Sequence, residues 1–252
     1  MDIVTRNEAL SYVDAGADSY LRVMGDAVHM ELRDNGIYET MRSRSDINSL
    51  ASVYNMRLEE LSDETLKTTI DEIRELKMHT WWPLSAPDRV LLAIHGKIPV
   101  YTAEDVEIYG IMYPDELTGR PERLANVRLQ LVETIDDFAV WCDLDNNTEH
   151  HSNVIFHAKN HFHLIESGKL TAFLGFADDV PVATCGILGQ DIASLEFVSV
   201  LPDYRKRGIA MALCQYALTL TFILGARAVT TRAIGDGRKL CKALGFHVIT
   251  TG

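Results

Sequence analysis

The sequence predicts a mixed α/β (α+β) fold, in which a mostly antiparallel sheet flanked by helices follows a helix-rich amino-terminal lobe. Three strand-like runs succeed one another between residues 170 and 200, which is typical of an antiparallel meander. An uncharged stretch of helical length leads to a further strand at 228–234, so this part requires a crossover and a parallel pair. The composition, with 47% hydrophobic and 24% charged residues among 252, excludes disordered and collagen-like classes.

The amino-terminal lobe is predicted to contain helices and short strands. Between residues 62 and 77, apolar side chains recur every three or four positions behind Ser62, which predicts an amphipathic helix capped by that serine. The aromatic run at 78–84 predicts a strand. After it, Ser85 and Asp88 form a capping-box pattern, which predicts that Ser85 caps a short helix.

A connecting segment is predicted at 114–124, where two prolines, a glycine and several charges follow a strand-like run at 106–112. We place the domain boundary there. The first unit, residues 1–122, is the helix-rich lobe, and the second unit, residues 123–252, contains the meander and the crossover.

The second unit is predicted to open with a strand and a helix that Thr134 and Asp137 cap together. Asp236 is predicted to cap a short helix that ends at Gly245. Because a strand, the uncharged helix 208–226 and a second strand form the crossover, the first strand-to-helix turn is the natural ligand site. The predicted strands are 127–132, 170–176, 181–188, 194–200, 228–234 and 246–251.

The chain carries few signs of a membrane or secreted protein. The uncharged stretch 208–226 just reaches the length of a membrane span, but four polar side chains within it favour a buried helix. The first ten residues lack the basic start and apolar stretch of a secretory signal. The four cysteines have no CxxC spacing, so they predict neither a disulfide framework nor a cysteine-based zinc site, and a reducing cytoplasm fits them best.

Charge is distributed unevenly along the sequence. The net charge of −12 makes nucleic acid an unexpected partner. From Val200 onward, however, eight basic and two acidic residues give a local charge of +6, which leaves −18 in residues 1–199. This basic segment is either a solvated face or a local site for an anion such as a phosphorylated cofactor.

The turn at 200–210 places a proline-broken strand end, three consecutive bases and a glycine at the start of the uncharged helix. The first turn of a helix leaves backbone N–H groups unpaired and carries the positive end of the helix dipole, so a pyrophosphate can bind there. Gly208 and Ala210 have little or no side chain and let an anion approach the backbone. The spacing differs from a P-loop and from GxGxxG, so neither an ATPase nor a nicotinamide-binding protein is indicated.

This turn resembles the pyrophosphate-binding signature Q/RxxGxG/A of the GNAT superfamily of N-acetyltransferases. Its three specified positions hold Arg205, Gly208 and Ala210. The surroundings are also similar, because a meander precedes the turn, a VxP strand end lies at 200–202, a long helix follows and an LGF lies near the end at 244–246. The resemblance covers about residues 127–252 and implies a GNAT-like sheet.

The first unit lacks this signature. Its order of helices, an aromatic strand, a short helix and a strand that ends in YGIMYPDEL is similar to the degenerate amino-terminal half of two-lobed GNAT proteins. An unrelated helical cap is the alternative. In either case Trp81 and Trp82 are candidates to line the acceptor cleft. The alternative is that these large side chains pack in the core.

The resemblance implies an acyl-CoA site, most often for acetyl-CoA, between the strand that ends at Val200 and its parallel neighbour. Pantetheine would run beside this strand, and the amide of Val198 would polarise the thioester carbonyl. The bases of the turn would add positive charge for the diphosphate. The implied cofactor-binding residues are Val198, Val200, Arg205, Lys206, Arg207, Gly208, Ile209 and Ala210.

The implied reaction is direct attack of a neutral amine on the thioester, so a group must help to remove the amine's proton. Glu196 is the candidate base, because it would share a strand face with Val198 if no bulge intervenes; a structural carboxylate is the alternative. Many family members carry a tyrosine as the acid where this chain has Cys241. Cys241 is thus the candidate acid, and the alternatives are a packed cysteine with the proton supplied by water, Tyr216 or His247.

A histidine-rich stretch lies between the first helix and the meander of the second unit. His157 and His161 would share a helix face, a spacing that also suits a metal pair. Without an HExxH motif or a nearby cysteine, we predict no metal site. The family resemblance implies that the stretch forms part of the acceptor wall; solvated histidines of a helix and a loop are the alternative. Its members are His150, His151, His157, His161 and His163.

The sequence therefore predicts a cytoplasmic acyl-CoA-dependent N-acyltransferase that transfers acetyl from acetyl-CoA to a primary amine of a small molecule or peptide. The alternative is a catalytically silent protein of the same fold that binds acyl-CoA as a sensor or partner-binding module. Neither nucleic acid nor a membrane is an expected partner, and a homodimer is left open. The sequence does not identify the acceptor amine.

Overall fold

The computed structural model describes residues 6–27, 30–42, 51–94, 108–117, 124–148 and 156–249. Within these ranges the chain forms eight α-helices and eleven strands, which are arranged in two sheets. Most strand pairs are antiparallel and helices flank the larger sheet, so the predicted mixed α/β fold is confirmed.

The smaller sheet belongs to the amino-terminal part and has the order β1-β2-β3-β4. Its strands are Glu31–Asp34, Glu39–Arg42, Ser52–Tyr54 and His79–Thr80. The helices of this part are α1 Arg6–Ala27, α2 Asp63–Glu75 and α3 Asp88–Ile94. Ser62 caps α2 as predicted, because its Oγ accepts a hydrogen bond from the Thr65 amide.

Two local predictions for this part need correction. The strand predicted at 78–84 is limited to the two residues of β4. The capping box at Ser85 is wrong, because α3 begins at Asp88 and the Ser85 hydroxyl donates instead to Asp14 Oδ2 at 2.6 Å. Asp14 belongs to α1, so a contact across 71 positions of the sequence replaces the local one.

The larger sheet has seven strands in the order β11-β5-β10-β9-β8-β7-β6. Strands β7 to β9 form the predicted antiparallel meander, with both residues of the β7–β8 turn, Asp178 and Asp179, at positive φ, and β6 pairs antiparallel with β7. Strands β9 and β10 are parallel, as the crossover predicted. The seven strands are β5 Ile108–Met112, β6 Val127–Leu131, β7 Leu170–Ala177, β8 Val180–Leu188, β9 Ile192–Val200, β10 Ala228–Ala233 and β11 His247–Ile249.

Five helices accompany this sheet: α4 Ile135–Asn147, α5 Ala158–His161, α6 His163–Glu166, α7 Ile209–Ile223 and α8 Gly235–Leu244. Thr134 caps α4, and Gly245 ends α8 in the left-handed conformation, both as predicted. The cap predicted at Asp236 is wrong, since Ile234 occupies that position and Asp236 lies inside the first turn. None of the helices in the described ranges is long and apolar enough to span a bilayer.

β5 links the two parts of the chain. It precedes the predicted boundary at 122/123, yet it lies inside the larger sheet between β10 and β11. α1 also packs against this sheet, and a Cβ built on Gly16 would lie only 2.1 Å from Thr230 Oγ1. The division into units 1–122 and 123–252 stays a prediction, and any such units share one sheet.

The larger sheet has a buried core on each face. On one face, helices α7 and α8 pack on side chains such as Leu195 and Val229. On the other, α1 and α4 pack on side chains such as Leu174 and Leu188. These are the α7 face and the α1 face below. All four cysteines are buried and free of disulfides.

Candidate active site

The parallel strands β9 and β10 separate partway along their length. Their register runs from the Ile192–Ala228 pair to the Leu195–Thr231 pair. Beyond it, β10 continues beside β5, and β9 continues to Val200. Residues 196–200 therefore have no partner in β10, and a gap opens between the two strands. This gap lies where the sequence predicted the cofactor.

A bulge in β9 marks the start of the gap. The β8–β9 register shifts between Thr184 and Gly186, and Phe197 has φ of 54°. Phe197 packs in the aromatic core of the α1 face, whereas Val198 packs on the α7 face. The contacts of Glu196 are also on the α1 face. The expectation that Glu196 and Val198 share a face is therefore wrong, because the bulge turns two consecutive residues to the same side.

The turn after β9 presents backbone N–H groups at the start of α7. A short 3₁₀ helix, Pro202–Tyr204, leads into Lys206 and Gly208, which have φ of 60° and 80°. The first hydrogen bond of α7 runs from the Ala212 amide to the Gly208 carbonyl at 3.0 Å, so the preceding amides lie outside the helical ladder. Ile209 is buried and anchors the helix start. The turn therefore has the features expected of an anion site, with free backbone N–H groups at the positive end of a helix.

The three bases of the turn are exposed and held in defined positions. Arg205 Nε donates to the Val200 carbonyl at 2.9 Å, and Arg207 donates to a carbonyl of the 3₁₀ helix at 2.7 Å. Lys206 Nζ contacts Asp236 Oδ2 of α8 at 2.8 Å. Hydrogen bonds to carbonyls leave the charge of both arginines uncancelled, which suits an anionic ligand.

Glu196 lies at the gap beside a cation from β10. Its Oε2 is 3.7 Å from Arg232 Nη2, and its Oε1 accepts a hydrogen bond from Ser194 Oγ at 2.6 Å. The Arg232 guanidinium lies over the rings of Tyr20 and Trp81, 4.1 Å and 4.5 Å from their centroids. The side chains of Glu196 and Arg232 are only about a tenth exposed. The role of Glu196 as the base stays a prediction, and the structure adds a guanidinium partner to it.

Cys241 lies on α8 against β5. A Cβ on Gly110 would come within 2.8 Å of its Sγ, so the thiol fills the space that this glycine leaves. Burial raises the pKa of the Cys241 thiol to about 11, which makes it a weaker proton donor than an ordinary cysteine. The two alternative proton donors have different surroundings. The Tyr216 ring contacts the Phe173 ring edge to face, and the exposed His247 has its Nε2 2.5 Å from Glu116 Oε1. The identity of the acid stays a prediction.

The described histidines do not form a metal site. His157 precedes α5, and its amide donates to Nδ1 of the buried His161 at 2.8 Å. His163 lies 3.6 Å from Asp26. In the described ranges no three His, Cys, Asp or Glu side chains are grouped to hold a metal ion. His150 and His151 lie outside the described residues.

A cavity of about 500 Å³ opens on the α1 face. Its walls come from α1, the segment after β3, residues 81–87 and Tyr109 of β5. Trp81 and Trp82 both line it. Trp81 also contacts Arg232, so it links the cavity wall to the Arg232–Glu196 pair.

Two carboxylates of α1 line this cavity. Asp14 accepts hydrogen bonds from the amides of Leu84 and Ser85 and from the Ser85 hydroxyl, which fixes the tryptophan-containing wall. Burial raises the pKa of Asp14 and raises that of Asp18 to about 6, with the nearby Asp14 charge as a second cause for Asp18.

Sequence reasoning missed Arg232, Asp14 and Asp18. The available signals were a lone arginine inside the predicted strand 228–234 and two aspartates four positions apart, which share one face of a helix. Neither signal says what the side chains face. Only the tertiary structure shows that α1 and β10 bring them to neighbouring places.

The fold and the site together define an α/β protein in which a basic, glycine-containing bend joins a strand to the start of a helix. Residues 129–246 match the model of the acetyltransferase (GNAT) family. The carboxy-terminal part of this chain is therefore a GNAT acetyltransferase domain, as the turn signature predicted. A comparison with curated protein sequences found no match.

Solved structures share the fold over most of the chain. A GCN5-related N-acetyltransferase from Kribbella flavida is 16% identical with a TM-score of 0.61, over 92% of this chain and 91% of that one. Another from Sphaerobacter thermophilus is 16% identical with a TM-score of 0.57, over 84% and 73%. A functionally unknown conserved protein from Staphylococcus epidermidis is 10% identical with a TM-score of 0.51, over 88% and 91%. These alignments include much of the amino-terminal part; that this part is a degenerate GNAT lobe stays a prediction.

Proposed function

We propose that this protein transfers an acyl group, acetyl in the first instance, from acyl-CoA to a primary amine. The observation that carries the proposal is the gap between β9 and β10, which opens beside the anion-binding turn at Gly208. The GNAT domain at 129–246 supports the same activity. The absence of disulfides among the four cysteines agrees with the cytoplasmic location that we propose from the sequence.

The described residues fit acyl-CoA as the co-substrate. The backbone of 196–200, which has no partner in β10, would hold the pantetheine arm as an added strand. The amide of Val198 would donate to the thioester oxygen, and such a donor favours the charge that develops there. The diphosphate would bind at the turn, where Gly208 leaves the backbone accessible. Bound acyl-CoA supplies the activated acyl group.

The protein must also deprotonate the acceptor amine before that amine can attack the thioester. An alkylamine has a pKa of about 10.4, so it arrives protonated and must lose a proton before it attacks. Glu196 is the carboxylate at the gap, held by Ser194 and Arg232. We propose that the Glu196 carboxylate receives the proton, with Ser194 and Arg232 as positioning residues.

The proposal is tested by two measurements on the full-length protein. Calorimetry with CoA and with acetyl-CoA measures binding, and release of free CoA thiol with a panel of amines measures transfer. We expect binding of both ligands and thiol release that depends on the amine. If neither ligand produces heat with folded protein, the proposed function is wrong.

A second candidate function is that of a silent acyl-CoA binder, which acts as a sensor. It is favoured by the contacts of the two predicted catalytic groups: Glu196 is already paired with Arg232, and Cys241 is buried against β5. The thiol assay separates the two functions. A silent binder would bind CoA and release no thiol with any amine of the panel.

Substitution Glu196→Gln tests the base. It keeps the size of the side chain and removes the proton acceptor, so we expect the transfer rate to fall about a hundredfold while CoA affinity is unchanged. Glu72→Gln, at an exposed position on α2, is the matched control and should leave both quantities unchanged. A Glu196 variant with the wild-type rate would exclude Glu196 as the base.

A further inference from the structure

Two aromatic side chains of the amino-terminal part contact an arginine at the gap. Tyr20 lies on α1, and Trp81 directly follows β4. The guanidinium carbon of Arg232 lies 4.1 Å from the centroid of the Tyr20 ring and 4.5 Å from that of the Trp81 ring. A cation and an aromatic face attract each other within about 6 Å. We call these two rings the aromatic clamp.

The clamp acts on a charge that is largely shielded from water. The side chains of Arg232 and Glu196 are 11% and 10% exposed, so little water weakens the attraction between the cation and the rings. Arg232 Nη2 lies 3.7 Å from Glu196 Oε2, which is longer than a hydrogen bond. The direction of the guanidinium therefore depends on its other contacts, and two of these are the rings of the clamp.

Tyr20 also contacts the strand on the other side of the gap. The centroid of its ring lies 6.3 Å from that of Phe197, the residue at the bulge of β9, whereas Arg232 belongs to β10. The Trp81 ring packs beside the Tyr20 ring, with 6.5 Å between their centroids. One side chain of α1 thus contacts both strands where they separate, which couples the position of Arg232 to that of β9.

The clamp comes from outside the GNAT domain. Residues 129–246 include Glu196, Arg232 and the turn at Gly208, but neither ring of the clamp. The domain therefore supplies the proposed base and its cation, and the amino-terminal part supplies two of the surfaces that hold this cation.

We propose that Tyr20 and Trp81 are positioning residues for acyl transfer. Their rings hold the Arg232 guanidinium beside Glu196, so that the amino-terminal part completes the active site. The inference rests on the proposed function, with Glu196 as the base. Because the clamp is assigned no contact with CoA, its loss should change the rate of transfer and leave CoA binding unchanged.

Steady-state kinetics of the full-length protein test the clamp through Tyr20→Leu. We expect kcat for thiol release to fall about tenfold, as the loss of a shielded cation–ring contact predicts. The KM for acetyl-CoA should stay within about twofold of that of wild type, since only the chemical step is affected. A folded Tyr20→Leu variant with the kcat of wild type would overturn the inference.

Tyr12→Leu is the matched control for this substitution. Tyr12 lies on the same helix, and its ring also meets an arginine, with the guanidinium carbon of Arg227 5.7 Å from its centroid. Arg227 pairs with exposed Asp191 and not with Glu196. Tyr12→Leu should therefore keep the kcat of wild type. An equal fall in both variants would show a general effect on α1 and overturn the inference.

Trp81 allows a test that retains an aromatic ring. Its Nε1 has no hydrogen-bond partner within the described residues, so Trp81→Phe breaks no hydrogen bond of the indole there. We expect Trp81→Phe to retain most of kcat and Trp81→Leu to lose about as much as Tyr20→Leu, because phenylalanine still offers a face to the cation. A Trp81→Phe variant as slow as Trp81→Leu, or a Trp81→Leu variant as fast as wild type, would contradict the clamp.

A double variant tests whether Tyr20 acts through Arg232. In Arg232→Gln protein, which lacks the cation, Tyr20→Leu should lower kcat further by less than about twofold. A further loss as large as that in the wild-type background would overturn the inference. Calorimetry with CoA reports whether each variant is folded. If wild type binds CoA and releases no thiol with any amine, the proposed function itself fails, so the two failures are distinguishable.

Discussion

Gly208 is the residue on which the proposed anion binding at the turn depends most directly. Its φ of 80° suits glycine, and it precedes the amides of the first turn of α7. We predict that Gly208→Glu lowers CoA affinity about a hundredfold or more, because it places a carboxylate where the diphosphate would accept hydrogen bonds. Calorimetry with CoA measures the loss.

Gly225→Glu is the matched control for this substitution. Gly225 follows the other end of α7, has φ of 102° and has no heavy atom within 4 Å of the position that a Cβ would take, so it undergoes similar backbone strain and the same change of charge. CoA affinity should be that of wild type. An equal loss in both variants would show a general effect of strain and contradict a specific role of Gly208.

Asp145 is a buried carboxyl group that the proposed reaction does not use. It lies on α4, is 3% exposed, and its Oδ2 has no hydrogen-bond partner within the described residues. Burial raises the pKa of Asp145 to about 7. In the unfolded chain an aspartate has a pKa of about 3.9, so the folded state binds its proton more tightly.

This difference predicts how stability depends on pH. The contribution of Asp145 is fully present below about pH 4 and is lost as the pH rises to about 7, since only the unfolded chain releases the proton in that window. Asp145→Asn should remove this pH dependence. Its free energy of unfolding should therefore rise by about 2 to 4 kcal/mol relative to that of wild type between pH 4 and pH 8, at about 1.4 kcal/mol for each pKa unit. Urea unfolding at both pH values measures it. A constant difference between the two proteins would contradict the assignment.

At the scale of elements, the turn after β9 and helix α8 are joined by charge. Lys206 contacts Asp236, which also contacts Lys239 at 3.3 Å, and all three side chains are largely exposed. An exposed pair contributes little to stability, but it cancels positive charge beside the proposed diphosphate site. We therefore expect the pair to affect ligand affinity more than folding.

Replacing Asp236 with Asn should raise CoA affinity roughly threefold at low ionic strength and leave it unchanged in about 1 M salt, where charges are screened. Binding titrations at the two salt concentrations measure the change. Asp191→Asn, which removes the exposed partner of Arg227, is the control and should have no effect. If the Asp236→Asn variant has the CoA affinity of wild type at low salt, a role of Lys206 in diphosphate binding is contradicted.

Strand periodicity predicted most elements of the larger sheet to within a few residues, and cap patterns located α2, α4 and the end of α8. It did not predict the bulge at Phe197. A bulge adds one residue on one strand only, so its position depends on the pairing partner rather than on the alternation of one strand. For this reason the face of Glu196 was predicted wrongly while its strand was predicted correctly.

At the scale of the molecule, α1 joins the amino-terminal part to the larger sheet through a close approach at Gly16. A Cβ there would lie 2.1 Å from Thr230 Oγ1, and Thr230 is held in place by its hydrogen bond to the Ala193 carbonyl. We predict that Gly16→Ala lowers the free energy of unfolding by about 1 to 3 kcal/mol, although alanine favours helix. Chemical denaturation measures the change.

The double variant Gly16→Ala, Thr230→Ala removes the clashing oxygen and should recover most of the loss, which a double-mutant cycle reports as coupling. Gly237→Ala in α8, where a Cβ would make an ordinary contact at 3.5 Å, is the control and should not destabilise. Additive effects of Gly16→Ala and Thr230→Ala would mean that α1 does not approach the sheet at this point.

The crossover, the glycine-containing turn and the helix that follows were predictable from local properties of the chain, namely strand alternation, capping residues and the conformational freedom of Gly208. Which side chains meet at the gap depends on the packing of distant segments. Arg232 reaches Glu196 from a neighbouring strand, Tyr20 and Trp81 reach Arg232 from the amino-terminal part, and β5 enters the sheet from before the predicted boundary. These contacts join residues that are distant in sequence, and their pairing depends on burial and register, which no local pattern records.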